Sequence, residues 1–221
     1  MGSEILNSND AFGRMDAMYR HQRHFYDATR KFYLLGRDRM LNKIELGDCD
    51  QVAEIGCGTG RNLKVLAERF PTSTFYGIDA SSQMLEKAKA KFEASRIRNV
   101  QLACVLAENF SPQSSFGIDL QFDSIIFSYS ISMIPSWKQA IRAALSSVRP
   151  GGTILIVDFF DQAELPGAFR GLLSAWLRQF GVKYFRELMP FLEHLEADGK
   201  ILLKVESVAR RYAFIATITK V

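Results

Sequence analysis

The sequence predicts an α/β fold: a mostly parallel, seven-stranded sheet with an antiparallel finish and helices ahead of it. Three observations predict it. From residue 51 to about residue 160, short apolar runs alternate with amphipathic helical stretches, which implies a parallel sheet covered on both faces. Two strand-like runs follow one another at the end of the chain, which implies an antiparallel closure. Residues 15–46 are rich in helix formers and aromatics, with no proline and one glycine, and read as one or two helices.

The elements follow in order. QVAEI is a short apolar strand running into a glycine-rich turn. NLKVLAERF is a helix stopped by Pro71. STFYGID is a second strand, and SSQMLEKAKAKFEASR a helix capped by Ser81 or Ser82. VQLACVLAE is the third strand. FDSIIFSYS is the fourth, apolar through its middle as a strand buried on both faces must be. IPSWKQAIRAALSSV is a helix, RPGG a turn, and TILIVDFF the fifth strand. Residues 162–198 read as helical, with Leu172, Leu173, Trp176, Leu177 and Phe180 at helical spacing. ILLKVESVARRYAFIATITKV supplies the last two strands.

A chain of 221 residues, 48% apolar and 24% charged, suits one ordinary domain with a sizeable core. No repeat or linker interrupts it. Residues 1–221 are therefore read as a single domain, with a helical lid over 14–46 and a core over 50–221. No apolar run has the length of about 18 residues that a spanning helix needs. The first ten residues, MGSEILNSND, are polar and carry no signal-peptide core. Cys49, Cys57 and Cys104 lack metal or disulfide spacing, and His21, His24 and His194 form no dense ligand set. These features predict a reduced, cytoplasmic protein without a bound metal.

Charge is uneven. Residues 14–43 hold eight basic side chains (Arg14, Arg20, Arg23, Arg30, Lys31, Arg37, Arg39 and Lys43) against Asp16, Asp27 and Asp38. Such a block suits an anionic partner, or is a solvated helix face.

The sharpest signal is Glu54-Ile55-Gly56-Cys57-Gly58-Thr59-Gly60, at the end of the first strand. Glycines there let the chain turn tightly and let a ligand approach the backbone. Asp79 ends the second strand, where an acid can accept from both hydroxyls of a ribose. The spacing is GxGxG. The dinucleotide fingerprint GxGxxG would need its third glycine at Arg61, which argues against a nicotinamide-dependent oxidoreductase.

This turn resembles motif I of the class I S-adenosylmethionine-dependent methyltransferases. Asp79 matches that family's ribose acid, Val148-Arg149-Pro150-Gly151-Gly152 the turn before its fifth strand, and the paired C-terminal strands its seven-stranded Rossmann-like sheet. The resemblance implies cofactor contacts from Tyr33, Arg37, Glu54, Gly56, Cys57, Gly58, Gly60, Asn62, Asp79, Ala80, Met84 and Ser128. Many relatives carry an acid after the third strand. Here Leu106 stands at that place, which leaves the adenine to the backbone of Ala107 and the side chain of Glu108.

Two further strings narrow the resemblance. They are Met18-Tyr19-Arg20-His21-Gln22-Arg23-His24-Phe25-Tyr26-Asp27, continuing through Thr29-Arg30-Lys31-Phe32-Tyr33-Leu34-Leu35-Gly36-Arg37-Asp38-Arg39, and Ser128-Tyr129-Ser130-Ile131-Ser132-Met133-Ile134-Pro135-Ser136-Trp137. With Val157-Asp158-Phe159 they are similar to the bacterial N-methyltransferases of betaine-lipid synthesis. Those enzymes trimethylate the amine of diacylglycerylhomoserine, which a separate enzyme must first make. The resemblance implies an aminolipid substrate and transient contact with an anionic membrane surface at the inner face of the membrane. The sequence shows no RNA-binding appendage and no Asn-Pro-Pro-Tyr type of motif, so no nucleic-acid partner is expected. Methyl transfer needs no nucleophilic side chain, and the attacking amine must be neutral. Candidate proton acceptors are His21, His24 and Asp158. A growing quaternary ammonium suits aromatic faces, here Tyr19, Tyr26, Tyr33 and Tyr129. Arg37 or Arg23 could meet a carboxylate. Phosphatidylethanolamine or a small amine remains an alternative acceptor.

Overall fold

The computed structural model describes residues 34–179 and 184–221. Seven strands among them form one sheet, in the order β3-β2-β1-β4-β5-β7-β6. The strands are β1 Gln51–Ile55, β2 Thr74–Asp79, β3 Val100–Cys104, β4 Phe122–Ser128, β5 Val148–Phe159, β6 Ile201–Val208 and β7 Ala213–Lys220. β1 to β5 pair in parallel, and β7 runs antiparallel to both β5 and β6. The predicted fold class is the observed one. The helices are α1 Arg37–Leu41, α2 Arg61–Arg69, α3 Ser82–Ala94, α4 Pro112–Phe116, α5 Trp137–Ser147, α6 Gly167–Gln179 and α7 Leu188–Ala197.

Alternation along each strand divides the apolar residues between two faces. Ile125 and Phe127 of β4 join Ile55, Ile78, Trp137, Ile141, Leu192 and Phe214 on the face under α5 and α7. Ile126 between them joins Val52, Leu63, Leu66, Phe75, Val157 and Ile215 on the face under α2 and α3. The helices bury matching stripes: Leu63, Leu66 and Ala67 of α2, and Trp137, Ala140, Ile141 and Ala144 of α5. The Ser81 hydroxyl caps α3 by accepting from Met84 N at 3.4 Å.

Several boundaries differ from expectation. The third strand ends at Cys104, and Ala107–Asn109 is a 3-10 turn, because the chain must leave the sheet edge there. The RPGG segment is not a turn but the start of β5, entered through a register shift opposite Phe122 and Ser124. The stretch 162–198 is helical in two pieces, α6 and α7, and begins only at Gly167. Of the 15–46 helical segment, residues 15–33 lie outside the described residues. The remainder is helical only over Arg37–Leu41. Met40, Leu41 and Ile44 are buried in the core under α2, so this part of the expected lid is integral to the domain. Glu206 of β6 holds it from outside, accepting from Arg39 Nη2 at 2.7 Å and from Lys43 Nζ at 2.6 Å. No helix among the described residues is long and apolar enough to cross a membrane.

Candidate cofactor site

Strand β1 delivers the glycine turn to the carboxyl edge of the sheet, beside the end of β2. All three glycines have left-handed backbones, with φ of 75° at Gly56, 53° at Gly58 and 69° at Gly60. This conformation explains the GxGxG spacing, because side chains rarely adopt it. The turn folds back on β2: the N–H groups of Gly56 and Cys57 both donate to Ile78 O at 2.9 Å. Asp79 locks it from below. Its Oδ2 accepts from Gly58 N at 2.8 Å and its Oδ1 from Ser81 N at 2.9 Å. Lys91 of α3 ties the far side, donating to Thr59 O at 2.7 Å and Thr59 Oγ1 at 3.1 Å.

A cavity of about 340 Å³ opens above the turn. Of the residues expected there, Arg37, Glu54, Gly56, Cys57, Asn62 and Ser128 line it. Glu54 is buried, and its Oε1 accepts from Asn62 Nδ2 at 2.7 Å. Sequence reasoning missed Leu34, Asp38, Thr59, Arg61 and Lys91 of the same wall. Arg61, expected only as a departure from the dinucleotide pattern, pairs with Asp38 and so joins the turn to α1. Its position next to the last glycine was the available signal. Burial and the nearby charges of Asp79 and Glu54 push the Cys57 thiol well above its ordinary pKa. It stays protonated and offers no nucleophile.

Ala80 and Met84 follow Asp79 into α3, with Met84 buried. Ala107 and Glu108 occupy the 3-10 turn beyond β3, and Glu108 Oε1 accepts from Ser136 Oγ at 2.9 Å. Tyr129 leaves β4 with φ of 53°, a rare conformation for a tyrosine, and its hydroxyl donates to Leu35 O. Burial, first, and then Asp158 raise the Tyr129 phenol well above its usual pKa. Neither Tyr129 nor Asp158 is on the cavity wall. Tyr19, His21, Tyr26 and Tyr33, with His24 and Arg23, lie outside the described residues.

Asp158 is fully buried at the end of β5 and accepts from Ser132 N at 2.9 Å and Phe159 N at 2.8 Å. Burial raises its pKa to about 6, against an ordinary 3.8, and the backbone donors only partly offset that. Between those two values the folded chain binds a proton that the unfolded chain has lost. Stability from this group is therefore full below the unfolded value and falls as pH rises through about 6. The loss is on the order of 3 kcal/mol. Urea melts of wild type and Asp158→Asn from pH 4 to pH 7 should show the wild type losing that much more than the variant. Parallel pH slopes would show that Asp158 does not titrate in this window.

The match to known proteins falls on this region. Residues 53–154 match the family model described as a methyltransferase domain. Malonyl-[acyl-carrier protein] O-methyltransferase of Marinomonas sp. (strain MWYL1) is 29% identical over 64% of this chain and 49% of its own length. Trans-aconitate 2-methyltransferase of Variovorax paradoxus (strain S110) is 27% identical over 58% of this chain and 45% of its own. The chain thus spans about half the length of the curated relatives it matches. Among solved structures, the DhpI-SAM-HEP complex superposes with a TM-score of 0.64 at 22% identity over 99% of both chains. A SAM-dependent methyltransferase from Aquifex aeolicus gives 0.62 at 18% over 96% of this chain and 98% of that one. At these identities the structures show the fold.

The residues present fit the cofactor that such a domain uses. Ser128 lines the cavity, and its buried Oγ has no hydrogen-bond partner among the described residues, as expected of a group reserved for a ligand. The wall sets Arg37, Arg61 and Lys91 beside Glu54 and Asp38, a mixed donor set suited to an amino acid's carboxylate and ammonium. Residues 53–154 thus match a methyltransferase domain, and the left-handed turn, the acid that locks it and the strand order suit S-adenosylmethionine as its cofactor.

Proposed function

We propose that this chain is an N-methyltransferase that trimethylates the amine of diacylglycerylhomoserine at the inner face of a membrane. The cofactor cavity carries the methyl-transfer part of this reading. When bound there, S-adenosylmethionine supplies a methyl group activated by its sulfonium charge. The chain's own work is to hold two partners in line and exclude water. Left-handed glycines and Asp79 shape the cofactor's seat, and Arg37 with Glu54 suits its charged end. The aminolipid acceptor is supported by the resemblance of the two strings around residues 18–39 and 128–137, of which Arg37 and Ser128 line the cavity. An acceptor amine with a pKa of roughly 8 to 10 must shed a proton before attack, which a modest base or water can accept.

A second reading is O-methylation of an acid. The names of the matched relatives favour it, and Arg37, Arg61 and Lys91 make the wall basic enough to hold an anionic acceptor.

Mass spectrometry of purified protein with S-adenosylmethionine separates the two. The acceptors are diacylglycerylhomoserine, phosphatidylethanolamine and trans-aconitate, each in its own reaction. Steps of one, two and three methyl groups on the homoserine lipid, stable to mild alkali, are the expected result. Methyl groups on phosphatidylethanolamine would move the substrate. An alkali-labile single methyl on trans-aconitate would replace N-methylation with ester formation.

A further inference from the structure

A second cavity, of about 540 Å³, opens beyond the carboxyl end of β5, next in the sheet to the end of β4 that carries Ser128. Its wall includes Gln162, Arg170, Gly171, Tyr184 and Arg186. Two cations there lack counter-ions: among the described residues, no acid lies within salt-bridge distance of Arg170 or Arg186. The one acid on the wall, Asp161, is already committed. It accepts from Arg211 Nε at 2.7 Å, and that pairing holds its carboxyl below the usual range. Glu164 is the other nearby acid and acts on Arg211.

The cavity is also kept open by construction. Gly167 opens α6, and one turn later Gly171 lies inside it, where glycine costs roughly 1 kcal/mol against alanine. A Cβ at either would meet nothing within 4 Å, so packing against the protein does not require them. Gln162 of the wall is hydrogen-bonded to the turn between β6 and β7, and both have left-handed backbone. Gln162, Ala209, Arg210 and Arg211 all have φ between 50° and 57°. Gln162 N donates to Arg211 O at 2.8 Å, and the Arg211 guanidinium lies 4.1 Å over the Phe160 ring.

We propose that this cavity is an anion subsite, in which Arg170 and Arg186 take the carboxylate or phosphate of the methyl acceptor. Calling that anion part of the acceptor rests on the methyltransferase reading above; the anion binding itself does not. Guanidinium groups match both oxyanions, and the Tyr184 hydroxyl adds a neutral donor.

Arginine modification by phenylglyoxal, followed residue by residue with mass spectrometry on the full chain, tests the subsite without turnover. Inorganic phosphate at constant ionic strength should slow the reaction of Arg170 and Arg186 at least about threefold while leaving Arg98 unchanged. Phosphatidylglycerol vesicles that protect where phosphate fails would assign the anion to a lipid headgroup. Equal protection by neutral phosphatidylcholine vesicles, or no protection by any of the three, overturns the proposal. Gly171→Leu should fill the cavity with a better helix former and abolish protection; protection that survives it also overturns the proposal. In turnover assays, the Arg170→Gln/Arg186→Gln pair should raise the acceptor KM about tenfold or more. S-adenosylhomocysteine affinity should stay within about twofold of wild type, since one charged contact is worth at least tenfold. A parallel loss of cofactor affinity would place the arginines in the cofactor site instead. Wild type that binds no S-adenosylhomocysteine would fail the methyltransferase reading, while the protection result stands by itself.

Discussion

Gly56→Ala should lower folding stability by about 2 to 5 kcal/mol and remove cofactor binding from the protein that remains folded. Two costs combine. The backbone φ of 75° is strained for any side chain, at about 1 to 2 kcal/mol. A Cβ would also lie 2.6 Å from the Cβ of Ser130, an atom fixed to the backbone that cannot swing aside. Ser130 is itself pinned, its hydroxyl donating to Ile55 O at 2.9 Å. Relieving the clash must therefore displace the turn or the exit of β4, and both border the cavity. Gly117→Ala supplies the control: its φ is 69°, but its Cβ would meet nothing within 4 Å. Urea midpoints should place Gly117→Ala near the strain cost alone and Gly56→Ala well below it. Equal shifts would show that the Ser130 contact carries no weight.

Asp79→Ala should weaken S-adenosylhomocysteine binding at least about tenfold in calorimetry. This loss is expected from the ribose-accepting role read from the sequence. Removing the carboxylate also strands the N–H groups of Gly58 and Ser81, at about 1 to 3 kcal/mol each where they stay buried. The turn then loses its lock. Asp79→Asn separates the two roles: one oxygen still accepts, while the amide points N–H at N–H. An intermediate affinity with most of the stability restored is expected. Affinity unchanged in both variants would remove Asp79 from the binding site.

Much of the fold was legible because its signals are local. Apolar runs such as SIIF, glycine spacing and the Pro71 stop each act within a few residues of themselves, so the strands and most of the helices could be placed in order. The end of the third strand, the RPGG segment and the start of α6 escaped, because neighbours in the folded chain decide where an element begins and ends. Gly56 and Cys57 of the glycine turn, which line the cavity, were legible for the same local reason. Asp38 and Lys91 were not, since each reaches the cavity from a separate element.

Asp158 shows the limit best. As an acid beside a resembling string it read as a proton acceptor, yet its burial, and hence its raised pKa, comes from the packing of β5 beneath residues 131–133. Arg170 and Arg186 carried no local signal at all. Sixteen positions apart and on either side of α6's end, they become one cationic pair only once the chain folds around the cavity. By itself the sequence determined which segments become strands and helices, and that a glycine turn would stand at the end of the first strand, because backbone preference and hydrophobic period are written residue by residue. Only the tertiary structure decided which charges face each other and which stay unpaired, because burial and distance are properties of the packed chain and not of its order.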